Sequence, residues 1–220
     1  MLIVYLIFLK PENPSTNGSA VKETRSAQDR LVLAEKYLGE GSFRLAADEL
    51  APSPAETLTA RQVRRWQQLH REAALLAELS AEPIEDILRH AAGVSDPEWQ
   101  ADFPRRYQGK ALLFDIQIQR LPTGRVQAVY ELPGPDPIRL EWGELDVVRA
   151  LDLDQPRRLI LGVRLARVGL EPPGPVWVVH FQPQSGVLLT DPKAAALCCP
   201  PLAEPGARAI LKKQGQGVGE

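Results

Sequence analysis

The chain has 220 residues, 44% hydrophobic and 25% charged, with a formal net charge of −2 and a pI near 6.0. Such a composition buries a core, leaves room for one large domain or two modules of about 100 residues, and excludes wholesale disorder. It also excludes a protein that grips a phosphate backbone or an anionic membrane by global charge, so any nucleic-acid contact needs a local patch.

Residues 1–9 read MLIVYLIFL and are followed by Lys10, Pro11 and a polar stretch to Val21. The run is too short for a spanning helix of ~20 apolar residues and has no basic start, so no membrane span is expected. It reads as a strand added to a sheet edge or as the product of a wrongly chosen start codon. The alternative is the remnant of an export signal or anchor, which would place the protein outside the cytoplasm or at a membrane. Residues 1–25 are therefore expected to be an apolar, then flexible, leading segment, and the protein to be cytoplasmic.

A helical module is expected over 26–107. Ser26 is placed to cap a helix carrying Leu31, Ala34, Tyr37 and Leu38 at three- and four-residue spacing, with Gly39 and Gly41 as the stop. Phe43 to Leu50 follows at once, and so short a loop packs the two helices antiparallel through Leu38, Phe43, Ala46, Ala47 and Leu50. The stretch Leu33-Ala34-x-x-Tyr37-Leu38-x-x-Gly41-x-Phe43-x-x-Ala46-x-x-x-Leu50 resembles the helix-turn-helix core of a tetratricopeptide repeat, over residues 31–50. The resemblance implies two closely packed helices and a protein partner, although no second copy follows at the ~34-residue period.

Thr59 opens a long helix to about Leu79, with Val63, Trp66, Leu69, Ala73 and Leu76 on one stripe. Arg61, Arg64, Arg65 and Arg71 fall on the other side and read as a solvated face, with phosphate contact as the alternative. Pro83 starts a helix from Ile84 to Ala92, with Ile87 and Leu88 inward and His90 in the last turn, where a cation suits the helix dipole. Asp96 before Pro97 marks a further helix start. Trp99, Phe103 and Tyr107 then form an aromatic seam that docks the helices on a sheet.

A β-module is expected over 108–191. Leu112, Phe114, Ile116 and Ile118 alternate with Leu113, Asp115, Gln117 and Gln119 as a half-buried strand, and Pro122-Thr123-Gly124 turns the chain. Val126, Ala128 and Tyr130 give a second strand; Ile138, Leu140 and Trp142 a third, after the loop Pro133 to Pro137. Leu145, Val148 and Leu151 suggest a short helix. Leu159, Leu161, Val163 and Leu165 form a fourth strand, the run Val176 to Phe181 a well-buried fifth, and Val187 to Thr190 a sixth after the Ser185-Gly186 turn. Three strands, a short helix and two more strands resemble an oligonucleotide/oligosaccharide-binding (OB) barrel. An SH3-like barrel or a helix-covered antiparallel sheet is the alternative. The fold class expected is thus α+β: a helical hairpin or bundle beside a small antiparallel barrel. Over 192–220, Asp191 and Pro192 open a short helix that Pro200-Pro201 stops, Ala207 to Lys213 forms another, and Gln214 to Glu220 is a frayed tail.

The only cysteines are the neighbours Cys198 and Cys199, which exclude a disulfide scaffold and read as two small buried residues, with a reactive thiol as the alternative. His70, His90 and His180 show no metal-ligand spacing, so neither metal nor cofactor is expected. No phosphate loop or nucleophile elbow occurs, and no catalytic residue is assigned. The expected function is a non-enzymatic interaction or scaffold protein whose helical half binds another protein. Two alternatives remain open. One is an oligonucleotide-binding barrel using Arg139, Arg164 and Arg167; the other is a hydrolase with His180 as base, partnered by Asp191 or Asp115 and near Ser185. The oligomeric state is not readable.

Overall fold

The computed structural model describes residues 25–54, 58–128, 138–171 and 176–217. The expectations for Met1 to Leu9, for Tyr130, for the loop Pro133 to Pro137 and for the last three residues lie outside them.

Helix α1 (Ala27–Glu40) begins where the Ser26 hydroxyl accepts the Asp29 amide at 3.1 Å and ends where Gly41 takes the left-handed φ of 80°. Helix α2 (Phe43–Leu50) returns along it. Helix α3 (Ala60–Leu76) opens with a reciprocal capping box between Thr59 and Gln62. It stops at Leu76 rather than Leu79, because Leu79 leaves the helix to form a β-bridge with Ala111. The Trp66 indole N–H donates to the Leu50 carbonyl at 2.9 Å and ties α3 to the end of α2. Helices α4 (Ile84–Gly93) and α5 (Asp96–Arg106) follow. The cap of α5 is Ser95, not Asp96: Glu98 accepts from the Ser95 backbone N–H and hydroxyl, which makes Asp96 the first helical residue.

The strands are β1 (Ala111–Arg120), β2 (Val126–Ala128), β3 (Ile138–Leu140), β4 (Arg157–Glu171), β5 (Val176–Phe181) and β6 (Val187–Leu188). Their order is β2-β1-β4-β5-β3, with β6 beside β4. All pairings are antiparallel except β3 with β5, which is parallel. The two ends of this path, β2 and β3, are consecutive in sequence, so the sheet curls into a nearly closed barrel. A 3-10 turn (Trp142–Glu144) and the short helix α6 (Asp146–Arg149) lie between β3 and β4.

Strand β4 runs to Glu171, well past the expected Leu165. Its first part pairs with β1 and its last part with β5, with a bulge between Leu165 and Arg167. The extra residue there shifts the in-out parity, so Leu165 and Val168 both point into the core. Trp142 belongs to the 3-10 turn rather than to the third strand. It is fully buried against Phe114 and Phe181, with ring centroids 5.1 Å and 5.0 Å away.

Two apolar cores cut across the expected boundaries of 107–108 and 191–192. The barrel interior is continuous with α4 and α5, whose Ile84, Ile87, Trp99, Phe103 and Tyr107 belong to the same buried apolar cluster as Phe114, Ile116 and Leu165. The aromatic seam is therefore core. The second core joins α1, α2 and α3 to the C-terminal helices α7 (Pro192–Cys198) and α8 (Pro205–Gly217). Helix α3 bridges the two by crossing β4 at Gly162, where a Cβ would stand 2.4 Å from Leu75 Cδ2. Any larger residue there would force the buried Leu75 side chain to shift.

Helix α8 corrects the expectation of a frayed tail after Lys213. It continues to Gly217 and buries Gln214, whose amide accepts from the Ile160 N–H at 2.9 Å and donates to the carbonyls of Ile160 and Leu189. This side chain takes the place of the next rung beside β4, where β6 has ended. A Cβ added at Gly215 would stand 3.4 Å from Thr190 Cβ, so this glycine faces the chain after β6 rather than open solvent.

Candidate functional site

A network of ionisable side chains sits on the barrel surface where β3, β4, β5 and the 3-10 turn meet. β-pairing aligns Arg139 and Gly169 with Val178, and Arg167 with His180, on the outward face of these strands. Glu171 closes the group from the end of β4. Its carboxylate accepts from Arg139 at 3.0 Å, from Arg167 at 2.6 Å and from His180 Nε2 at 2.9 Å. Arg139 also pairs with Glu141, and His180 Nδ1 lies 3.2 Å from a Glu144 oxygen. The hydrogen bond from His180, reinforced by the nearby cations, holds the Glu171 carboxyl below the ordinary carboxylate range.

The three arginines singled out from the sequence thus divide. Arg139 and Arg167 share the Glu171 carboxylate. Arg164 lies apart, its guanidinium donating to the carbonyls of Gly109 at 3.0 Å and Ala74 at 2.7 Å, which fastens the C-terminal end of α3 to the barrel. The acids expected beside His180 are elsewhere. Asp191 caps α7 through the amides of Lys193 and Ala194, and Asp115 makes a bidentate pair with Arg158. Ser185 is also committed, its hydroxyl accepting from the Arg164 N–H and donating to the Gln182 carbonyl. Glu144 and Glu171 are the true partners of His180. Sequence reading missed them because Glu144 is 36 residues away and reaches the histidine only through barrel closure.

A buried carboxylate lies between α3 and the start of α7. Glu72 accepts from the Thr190 hydroxyl, from Gln68 Nε2 at 2.8 Å and from the Asp191 N–H at 3.2 Å. Burial pushes its pKa up, against the opposing pull of these hydrogen bonds. All its described partners are protein groups that join α3 to the chain after β6, which makes it a structural junction. His90 is likewise packed rather than displayed: its Nδ1 is 3.0 Å from the Tyr107 hydroxyl and its ring meets the edge of Trp99. That hydroxyl also donates to Glu82, and burial foremost raises the phenol to about 12. Cys198 and Cys199 are both buried, and burial raises each thiol to about 12, far from the thiolate form a nucleophile needs.

Among the described residues every tryptophan and phenylalanine is buried, as is Tyr107, and Tyr37 packs partly on the helical core. No three or more His, Cys, Asp or Glu side chains among them are arranged to hold a metal ion, and none of the described helices is long and apolar enough to cross a membrane.

The helical layer has the other distinctive surface. Val32 on α1, Leu45 on α2 and Leu197 on α7 are 57%, 47% and 53% exposed. Between α1 and α7 lies an open groove of about 510 Å³, lined by Glu35, Lys36, Gly39, Glu40, Arg65, Asp191, Pro192 and Lys193. Arg65 and Glu35 pair at 3.3 Å and Lys36 and Glu40 at 3.9 Å along its walls. Compared with known proteins, the chain matches no family model, no curated protein and no solved structure at a significant level.

Proposed function

We propose that this is a non-enzymatic interaction protein that binds another protein through its helical layer. The observation that carries the reading is the distribution of exposed apolar side chains. Of the four large ones among the described residues, Val32, Leu45 and Leu197 belong to α1, α2 and α7, and only Leu170 belongs to the barrel. Apolar side chains left in water on one layer, beside a groove, are what a protein partner covers. The tetratricopeptide-like hairpin of α1 and α2 supports the same reading. The test is capture of partners by the tagged protein with and without Val32→Asp, Leu45→Asp and Leu197→Asp. Each variant should melt like the wild type, since the side chains are exposed, and should lose captured protein. Undiminished capture by all three would refute the reading.

A second reading has its own support: an OB-type barrel that binds oligonucleotides. Strand order β2-β1-β4-β5-β3 with β3 and β5 parallel, and a helical segment between β3 and β4, fits that barrel better than an SH3-like one. The chemistry argues against it. A single-strand site combines free cations with exposed aromatic platforms worth ~1 to 3 kcal/mol per base. Here Arg139 and Arg167 are shared with Glu171, Arg164 holds carbonyls, and the described tryptophans and phenylalanines are core. Oligonucleotide binding that falls steeply with added salt would favour this second reading.

A further inference from the structure

We propose that Glu72 is a pH-sensitive latch on the groove between α1 and α7: it holds the α7 wall of the groove to α3 in acid and loosens it as the solution approaches neutrality. The latch rests on the proposed function only for what the groove binds, and it operates without a partner.

One carboxylate fastens two elements here. Glu72, 1% exposed on α3, accepts the Asp191 N–H at 3.2 Å through one oxygen, and the Thr190 hydroxyl and Gln68 Nε2 through the other. Thr190 and Asp191 are the two residues before α7, and Asp191, Pro192 and Lys193 line the groove of about 510 Å³. From the same groove, Arg65 pairs with Glu35 of α1 at 3.3 Å and reaches the Thr190 hydroxyl at 3.4 Å. The start of α7 is thus tied to α3 through Glu72. Lifting Thr190 and Asp191 away would move the groove wall and admit water to the carboxylate.

The tie responds to pH because the buried charge has no counter-ion among the described residues. The charged side chains around it engage its partners instead. On α3, Arg71 donates to Gln68 Oε1 at 3.1 Å and Arg65 to Thr190. At the start of α7 the Asp191 carboxylate is turned to the amides of Lys193 and Ala194. From α8 the side chain that reaches the chain after β6 is the neutral Gln214, while Lys212 and Lys213, like Lys193, are exposed. A carboxylate taken out of water without a cation favours its protonated form, and here burial prevails over the hydrogen bonds that favour the anion. With Thr190 and Asp191 lifted, the hydrated carboxyl ionises in its ordinary range. Its contribution to closure is therefore fully present below that range and lost as pH rises through the native value.

Amide hydrogen exchange of the full chain, wild type against Glu72→Gln, tests this by NMR between about pH 4 and pH 7.5. Residue 72 lies 119 positions from Asp191, so the intrinsic exchange of the Asp191 amide is the same in both proteins and the ratio of their rates reports opening alone. At Asp191 and Ala194 the ratio of wild type to variant should stay level near pH 4 and rise by about tenfold or more toward pH 7.5. About 1 M urea should leave that rise unchanged, because the opening is local, while it speeds exchange at Phe114 in β1, which requires global unfolding. Thr190→Val removes a donor to the anion and should enlarge the rise; it serves should Glu72→Gln fold poorly. A ratio that stays level across the range would overturn the latch. So would a rise that urea accelerates and Phe114 shares, which would leave Glu72 a determinant of overall stability alone. Neither result touches the helical-surface reading, which partner capture tests separately.

Discussion

Replacing Gln214 by alanine tests whether the C-terminal helix is part of the folded core or an ornament on it. The amide makes three hydrogen bonds in a buried position, two with Ile160 and one with Leu189. They are not equivalent. The Ile160 carbonyl also accepts the Leu189 N–H at 3.0 Å, so it keeps a partner when the amide is removed. The Ile160 N–H and the Leu189 carbonyl lose the only partners described for them. Each orphaned buried group costs about 1 to 3 kcal/mol, about 2 to 6 kcal/mol for the two, and alanine's better helix propensity returns about half a kcal/mol at most, leaving a loss of about 2 to 5 kcal/mol. For a chain of this size that lowers the melting temperature by roughly 4 to 20 °C. The assay is urea unfolding followed by tryptophan fluorescence, with the midpoint falling and the slope unchanged. Gln214→Glu should be no better, since a carboxylate accepts from Ile160 but offers no N–H to the two carbonyls. A change below about 0.5 kcal/mol in both variants would refute the docking of α8.

Burial raises the pKa of Glu72 above its ordinary 4.5. A raised native value means that its contribution to stability is fully present below the unfolded value and lost as pH rises through the native one. Glu72→Gln should therefore gain on the wild type as pH increases from about 4 toward neutrality, and parallel urea midpoints across that range would contradict this. Gly162→Ala should cost about 1 to 3 kcal/mol, because the new methyl meets the buried Leu75 side chain where α3 crosses β4; an unchanged melting midpoint would show that the helix can lift away. His180→Phe removes the hydrogen bond foremost in lowering the Glu171 pKa. Carbon-detected NMR should then show Glu171 titrating at higher pH, and an unmoved titration would deny the contact.

Local chemistry made much of this fold legible. Ser26, Thr59 and Asp191 each cap the helix that follows them, and alternation in Leu112, Phe114, Ile116 and Ile118 marked the inward face of β1. Ser95 and Asp96 are both good caps, and what decides between them is Glu98, three residues after the serine. The full length of β4 was hidden because a bulge breaks the period of two that identifies a strand. Gln214-Gly215-Gln216-Gly217 carries the composition of a tail, and its docking depends on Ile160, 54 residues away. The same non-local character hid the two cores. Nothing in α4 and α5 says that they seal a barrel whose strands come later, nor in α7 and α8 that they return to α1. The site suffered most: the pairing of Arg139, Arg167 and His180 on Glu171 exists only once β3, β4 and β5 are side by side.

The most direct test of the central claim is affinity capture of partners from a lysate by the tagged, full chain, with and without nuclease, read by mass spectrometry. A protein partner recovered equally in both arms, and lost when Val32 or Leu197 becomes aspartate, is the predicted result. Recovery that disappears with nuclease, or that ignores both substitutions, would contradict it and return the function to the barrel.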